Sequence, residues 1–130
     1  MIVVDASAAL ELLLNTPTGR RVADRVFAPG ESLHAPHLLD LEVVQVLRRY
    51  ARAGALDTDR AREVVDDLAD LPVTRYPHDV LLPRIWELRH DVTAYDAAYL
   101  VLAEVIGAPL LTRDGALART RGHHARVEVV

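Results

Sequence analysis

Met1-Ile2-Val3-Val4-Asp5-Ala6-Ser7-Ala8-Ala9-Leu10 opens the chain with four apolar residues, an acid, and then a run of small and apolar residues. The first four have the length and character of a strand buried on both faces, which is how strands of a parallel sheet read. Asp5 stands at the carboxyl end of that strand. The small and apolar residues from Ala6 to Leu14 predict a helix. Thr16-Pro17 then reads as an N-cap followed by proline at the first helical position, opening a second helix to about Phe27 that Pro29-Gly30 ends.

The same alternation continues along the chain. Ser32 to Ala35 predicts a short strand, Pro36 the start of a long helix to about Ala53, and Gly54 its stop. Asp57-Thr58 caps a helix with Ala61, Val64, Val65 and Leu68 as its apolar stripe and an acidic, solvated opposite face. Pro72 to Arg75 reads as a strand, and Val80 to Arg89 as a helix containing Trp86. Thr93 caps a helix to about Ile106, and Gly107-Ala108-Pro109 stops it. Leu110 to Thr112 reads as a strand, Asp114 to Arg119 as a short helix, and Val127 to Val130 as a last strand. Strands that alternate with helices imply a mostly parallel sheet covered on both faces, because parallel neighbours need crossover connections. The expected class is α/β, in one domain spanning 1–130.

Composition narrows the function. The 130 residues are 51% hydrophobic and 26% charged, with no cysteine. Thiol catalysis, thiolate metal sites and disulfides are thereby excluded. No uncharged apolar run approaches the ~18 residues of a membrane span, and Asp5 and Glu11 interrupt the first apolar stretch, so a soluble, unprocessed cytoplasmic protein is expected. Fifteen basic residues against nineteen acidic give a net charge of -4, which argues against a protein that simply coats nucleic acid. Every one of the cations is arginine, so any mechanism that depends on lysine is ruled out.

Ligands of such sheets gather beyond the carboxyl ends of the strands. Asp5 and Asp114 should both project from that edge. Glu42 lies within Leu38-Leu39-Asp40-Leu41-Glu42-Val43-Val44 and has Leu38, Leu39 and Val46 at helical spacing. Asp96 has Val92, Tyr99 and Leu100 around it in the same way. An ionised acid on an apolar face is costly unless something pairs it. Each acid also has a plainer reading. Asp5 and Asp114 suit N-caps, Asp96 stands three residues after Thr93 as in a capping box, and Glu42 suits a pair with Arg49. The combination is harder to explain that way, because four converging acids repel one another unless hard divalent cations neutralise them. Carboxylates are preferred ligands of Mg²⁺ and Mn²⁺, and no three histidines have the spacing of zinc ligands. His34, His37, His123 and His124 are read as surface or hydrogen-bonding residues.

Four segments carry a resemblance: Val3-Val4-Asp5-Ala6-Ser7; Pro36-His37-Leu38 leading into Glu42 and Leu47-Arg48-Arg49; Thr93-Ala94-Tyr95-Asp96 running on to Ala103; and Leu111-Thr112-Arg113-Asp114. In this order and at these separations the sequence resembles a PIN-domain ribonuclease, and within that family a VapC-type toxin of a toxin–antitoxin pair. The resemblance covers essentially the whole chain. It implies a three-layer α/β/α sandwich and an acidic pocket in which Asp5, Glu42, Asp96 and Asp114 hold Mg²⁺ or Mn²⁺. It also implies endonucleolytic cleavage of RNA, commonly transfer or ribosomal RNA, and neutralisation by a cognate VapB-like antitoxin. Ser7 and Thr112 match the family's hydroxyl positions beside the pocket, and Gln45 stands where many relatives carry Asn.

In this reading Asp5, Asp96 and Asp114 are the direct ligands, with Glu42 ligating or orienting water, and the metal supplies hydroxide and charge neutralisation. Arg113 is the candidate phosphate contact, with Arg119, Arg121 and Arg126 extending the track; the plain alternative is solvated surface charge. Leu10, Leu13, Leu14, Val22, Val26, Phe27, Leu47 and Tyr50 exceed the needs of one small core face, and offer a surface for an antitoxin segment or a homodimer. Three rival enzymes or modules fail on particular residues. A receiver domain lacks its lysine, a haloacid-dehalogenase-like phosphatase lacks its second Asp because Ser7 stands there, and a dinucleotide-binding turn lacks glycine after the first strand. The remaining rival is a non-catalytic PIN-like module that binds RNA or protein.

Overall fold

A computed structural model describes residues 1–130. Five strands, β1 (Ile2–Val4), β2 (Leu33–Pro36), β3 (Val73–Tyr76), β4 (Leu110–Thr112) and β5 (Val127–Val129), form one sheet in the order β3-β2-β1-β4-β5, and every pairing is parallel. Seven helices connect them: α1 (Ala6–Leu13), α2 (Pro17–Val26), α3 (Leu38–Arg52), α4 (Thr58–Asp70), α5 (Leu82–Glu87), α6 (Ala94–Ile106) and α7 (Gly115–Ala118).

Right-handed crossovers decide which face each helix covers. The chain steps from β1 to β2 to β3 in one direction, so α1 to α4 lie on one face and pack on one another. It then returns past β1 to β4 and β5, which places α5, α6 and α7 on the opposite face, with α6 against β1, β2 and β4. The three-layer α/β/α sandwich expected from the sequence is therefore the fold. The strand order reverses between β2 and β4 on either side of β1, and the carboxyl ends of β1 and β4 flank the crevice where such sheets bind ligands.

The packing follows the apolar pattern. Ile2, Val3 and Val4 are buried on both sheet faces, and Ala97 to Ala103 are buried without interruption because α6 is wedged over the sheet's middle. Gly107, at φ 66°, ends that helix in the left-handed region where a side chain would be strained. Gly19 is required for another reason: a Cβ there would lie 1.9 Å from the Glu11 carbonyl oxygen, so α2 approaches α1 as closely as it does only with glycine.

Several boundaries differ from expectation. Pro36 closes β2 instead of opening α3; it pairs with Tyr76 beyond the last β2 residue matched to β1, where a missing N–H is tolerated. The third strand is shifted by one residue, running from Val73 to Tyr76. The helix expected over Val80 to Arg89 is a 3-10 turn at Asp79–Leu81 followed by the six-residue α5. Of the apolar residues offered as a partner surface, Leu10, Leu13, Val22, Val26 and Leu47 are core, whereas Phe27 and Tyr50 remain exposed.

Candidate active site

Asp5 is placed by the strand that ends at Val4 and by the helix it starts. Its Oδ1 accepts the Ala8 N–H at 3.0 Å, so it is an N-cap, and also the Ser7 hydroxyl at 2.6 Å. Its Oδ2 accepts the Thr112 hydroxyl from the neighbouring strand β4. Ser7 and Thr112 thus hold the carboxylate from both sides, 8% exposed, in one orientation. The Thr112 Oγ1 in turn accepts the Asp114 N–H at 3.0 Å, and the Ser7 Oγ accepts the Arg113 N–H at 2.9 Å, which ties the loop after β4 to Asp5. Burial pushes the Asp5 carboxyl above its ordinary range, against the opposing pull of those hydrogen bonds.

Asp114 is exposed and caps α7 through the Ala116 N–H at 2.8 Å. Asp96 follows Thr93, whose hydroxyl accepts the Asp96 N–H at 3.2 Å, and stands on the first turn of α6 just before the buried run. Desolvation raises the Asp96 pKa first, and the charges of Asp114 and Asp5 add to it. Glu42, half-buried on α3, accepts the Tyr99 phenol at 2.6 Å. Its pKa is raised by desolvation and by the charges of Asp96 and Asp5, with the Tyr99 bond opposing. Asp5 and Asp114 are caps, as the plainer reading expects, and the charges of Asp5, Asp96 and Asp114 also act on their acidic neighbours.

None of the four acids takes part in an ion pair. The pairing of Glu42 with Arg49 does not form; Tyr99, read in the sequence only as an apolar neighbour of Asp96, is its partner. The signal for Tyr99 was its hydroxyl: a phenol 2% exposed in a helix core needs an acceptor. Asp96 and Asp114 line one open cavity of about 550 Å³ with His90, Thr93, Leu117 and Thr120. Glu42 lines a separate hollow of about 440 Å³ beside Ala6, Gln45, Arg49 and Tyr95, and the buried Asp5 is near enough for its charge to act on both Glu42 and Asp96. As the side chains lie, no three His, Asp or Glu groups form a ready-made clasp for an ion.

Arg113 is engaged within the protein, donating to the Thr18 hydroxyl at 2.9 Å and pairing with Glu11 at 3.2 Å. Arg126 pairs with Glu128, and Arg119 and Arg121 are exposed. His34 is buried between Ser32 and Tyr76, with ring contacts of 2.8 and 2.7 Å, which is the hydrogen-bonding role expected of it.

An all-parallel sheet in this strand order, with acids beyond the ends of β1 and β4 and on the helices facing them, defines a PIN domain, and the PIN-domain family model matches residues 2–123. The chain is 43% identical over 130 residues to Ribonuclease VapC12 of Mycobacterium tuberculosis, covering 100% of this chain and 99% of that one. It is 42% identical to Ribonuclease VapC9 of the same organism, over 100% and 98% of the two chains. The protein belongs to the PIN-domain family, in its VapC ribonuclease branch. Among solved structures it superposes on PAE2754 from Pyrobaculum aerophilum with a TM-score of 0.69 and 31% identity, over 97% of this chain and 82% of that one. It shares the fold, at 12% identity and a TM-score of 0.72, with a chain of VapBC2 from Rickettsia felis bound to a DNA fragment from their promoter, over 99% and 98% of the chains.

Proposed function

We propose that this chain is a metal-dependent endoribonuclease, a VapC-type toxin neutralised by a VapB-like antitoxin. The observation that carries the reading is a set of four acids at the switch point of the sheet that have no ion-pair partner, three of them with raised pKa values. The ribonuclease names of relatives at 42–43% identity over the full chain support the RNA substrate. The complex of VapBC2 supports an antitoxin as the class of partner.

The donor set fits a hard divalent cation, Mg²⁺ or Mn²⁺. It is all oxygen, it lacks any paired cation, and its mutual repulsion is what such an ion relieves. Asp5, Asp96 and Asp114 would hold the ion, and Glu42 would ligate or orient water; an ion that keeps several waters does not need a closed protein cage. When bound, the ion supplies charge neutralisation at the phosphate and a more acidic water. The chain supplies position. Ser7 and Thr112 hold Asp5 in one rotamer, Tyr99 holds Glu42, and the Thr93 cap sets the first turn that carries Asp96.

The substrate is RNA, with transfer or ribosomal RNA as the expected targets, and the setting is the cytoplasm, where both RNA and antitoxin are found. Residues 1–130 act as a single PIN-like domain, and the exposed Phe27 just after α2, with Leu41, Val44 and Tyr50 on α3, suit the antitoxin or a homodimer. The test uses purified protein freed of antitoxin and a structured RNA. Cleavage in Mg²⁺ or Mn²⁺ that is lost in chelator and in the Asp96→Asn variant, with helical content unchanged, is expected. Cleavage by that variant in chelator would refute the reading, and RNA binding without any cleavage would favour a non-catalytic module.

A further inference from the structure

Beside the acidic cavity is a second hollow of a different character. It has a volume of about 490 Å³ and is lined mainly by apolar groups from α5 and the start of α6, among them Leu82, Ile85, Trp86 and Ala94. Arg89, Val92 and Thr93 line both hollows, so the two adjoin. Trp86 is the chain's only tryptophan and is 67% exposed. A large aromatic left in water next to a functional cavity is an unspent binding surface. The Arg89 guanidinium lies 4.7 Å from the centre of its ring and donates to the Trp86 carbonyl at 3.0 Å, with no carboxylate partner.

An occupant of this place must offer a flat apolar face to the indole and an anion to Arg89, and it must extend towards Asp96 and Asp114. An unpaired nucleotide has all three properties: a base that stacks, a phosphate that pairs with arginine, and a strand that continues into the acidic cavity. A second copy of this chain fits less well, since it would bury an unpaired cation and sit at the mouth of the cavity that substrate must enter. We propose that the Trp86 hollow is a base-stacking subsite for one unpaired nucleotide flanking the scissile bond, with Arg89 as the contact to its phosphate. This rests on the endoribonuclease reading, and it restricts the substrate to RNA that is single-stranded or looped out next to the cut.

The test is run on the full chain in chelator, so that binding is read without cleavage, with oligoadenylate as the probe. Saturable quenching of the single tryptophan's emission is expected. With labelled oligoadenylate followed by anisotropy, Trp86→Ala should weaken binding on the order of 10- to 100-fold and Trp86→Phe should restore most of it. Arg89→Ala should lower the slope of log affinity against log salt by about 0.7, the value for one lost phosphate contact on a single strand. In Mg²⁺, Trp86→Ala should raise KM for a looped RNA by a similar factor. Equal affinity of the wild type and Trp86→Ala for oligoadenylate overturns the subsite while leaving metal-dependent cleavage untouched. Absence of cleavage by the wild type, with stacking intact, sinks the nuclease reading instead. If Trp86→Ala changes the sedimentation of the protein and not its oligoadenylate affinity, the hollow is a contact between copies and the proposal fails.

Discussion

The two edges of the sheet treat acids in opposite ways. At the amino edge Glu31 receives the Met1 ammonium at 2.9 Å and Arg25 at 2.7 Å, and Arg25 also reaches Glu128 at 3.1 Å. On the same side, near the end of α6, Glu104 takes two Arg84 N–H groups at 3.1 Å and the His124 N–H at 2.7 Å. The hydrogen bonds from Met1 and Arg25 hold Glu31 below the ordinary carboxylate range; burial pushes Glu104 up, but its partners outweigh it and hold it below as well. At the carboxyl edge Asp5, Glu42 and Asp96 have only hydroxyl and backbone partners, and each other, and their pKa values rise. The same residue types therefore stabilise one edge and strain the other. A chain with fifteen arginines had the means to neutralise both. Leaving one edge uncompensated is the arrangement expected where a cation from solution completes the charge.

The contrast can be broken in several ways. The largest effect should come from Asp96→Asn, which leaves the fold intact and lowers RNA cleavage by at least about 100-fold, the scale seen when a group that stabilises transition-state charge is lost; a single-turnover assay measures it. The same substitution should raise the unfolding temperature of the metal-free protein by a few degrees, since it removes a charge that desolvation and its neighbours oppose. Added Mg²⁺ should raise the wild-type unfolding temperature and affect the variant less; calorimetry reads both.

At the opposite edge the sign reverses. Glu104→Gln should destabilise the protein by roughly 1–2 kcal/mol at neutral pH, as expected for a partly exposed charge-assisted pair. Because the folded pKa of Glu104 is lowered, its contribution is present above the unfolded value near 4.5 and is lost as pH falls through the folded value. The difference between wild type and Glu104→Gln should accordingly shrink on acidification, which denaturant titrations across pH would reveal. The smallest effect is expected for Tyr99→Phe. It removes the hydrogen bond to Glu42 and should cost on the order of 1 kcal/mol with a modest loss of cleavage; an unchanged cleavage rate would mean that Tyr99 does not position Glu42.

Legibility differed from element to element. The opening Met1 to Asp5 run and the capped helix after Thr93 were plain in the sequence, because short apolar runs and cap residues are local signals. The 3-10 turn at Asp79–Leu81 was not, since residues at Val80 and Leu82 follow a helical pattern that packing does not extend. The hydrogen bonds of Thr112 to Asp5 and of the Arg113 N–H to Ser7 join residues more than a hundred positions apart, and the Arg113 side chain is held by Thr18 and Glu11. No periodicity reports such contacts.

Local chemistry along the chain was enough to settle the alternation of strands and helices and the α/β class, and to single out four acids as candidates, because each depends on neighbours within a few residues. Which acids share a cavity, that Glu42 is held by a phenol and not by a guanidinium, and that Trp86 lies exposed in a hollow adjoining the one Asp96 lines depend on how distant segments pack. Those relations are set by crossover handedness and core packing, where the energy of a side chain is fixed by what surrounds it in space.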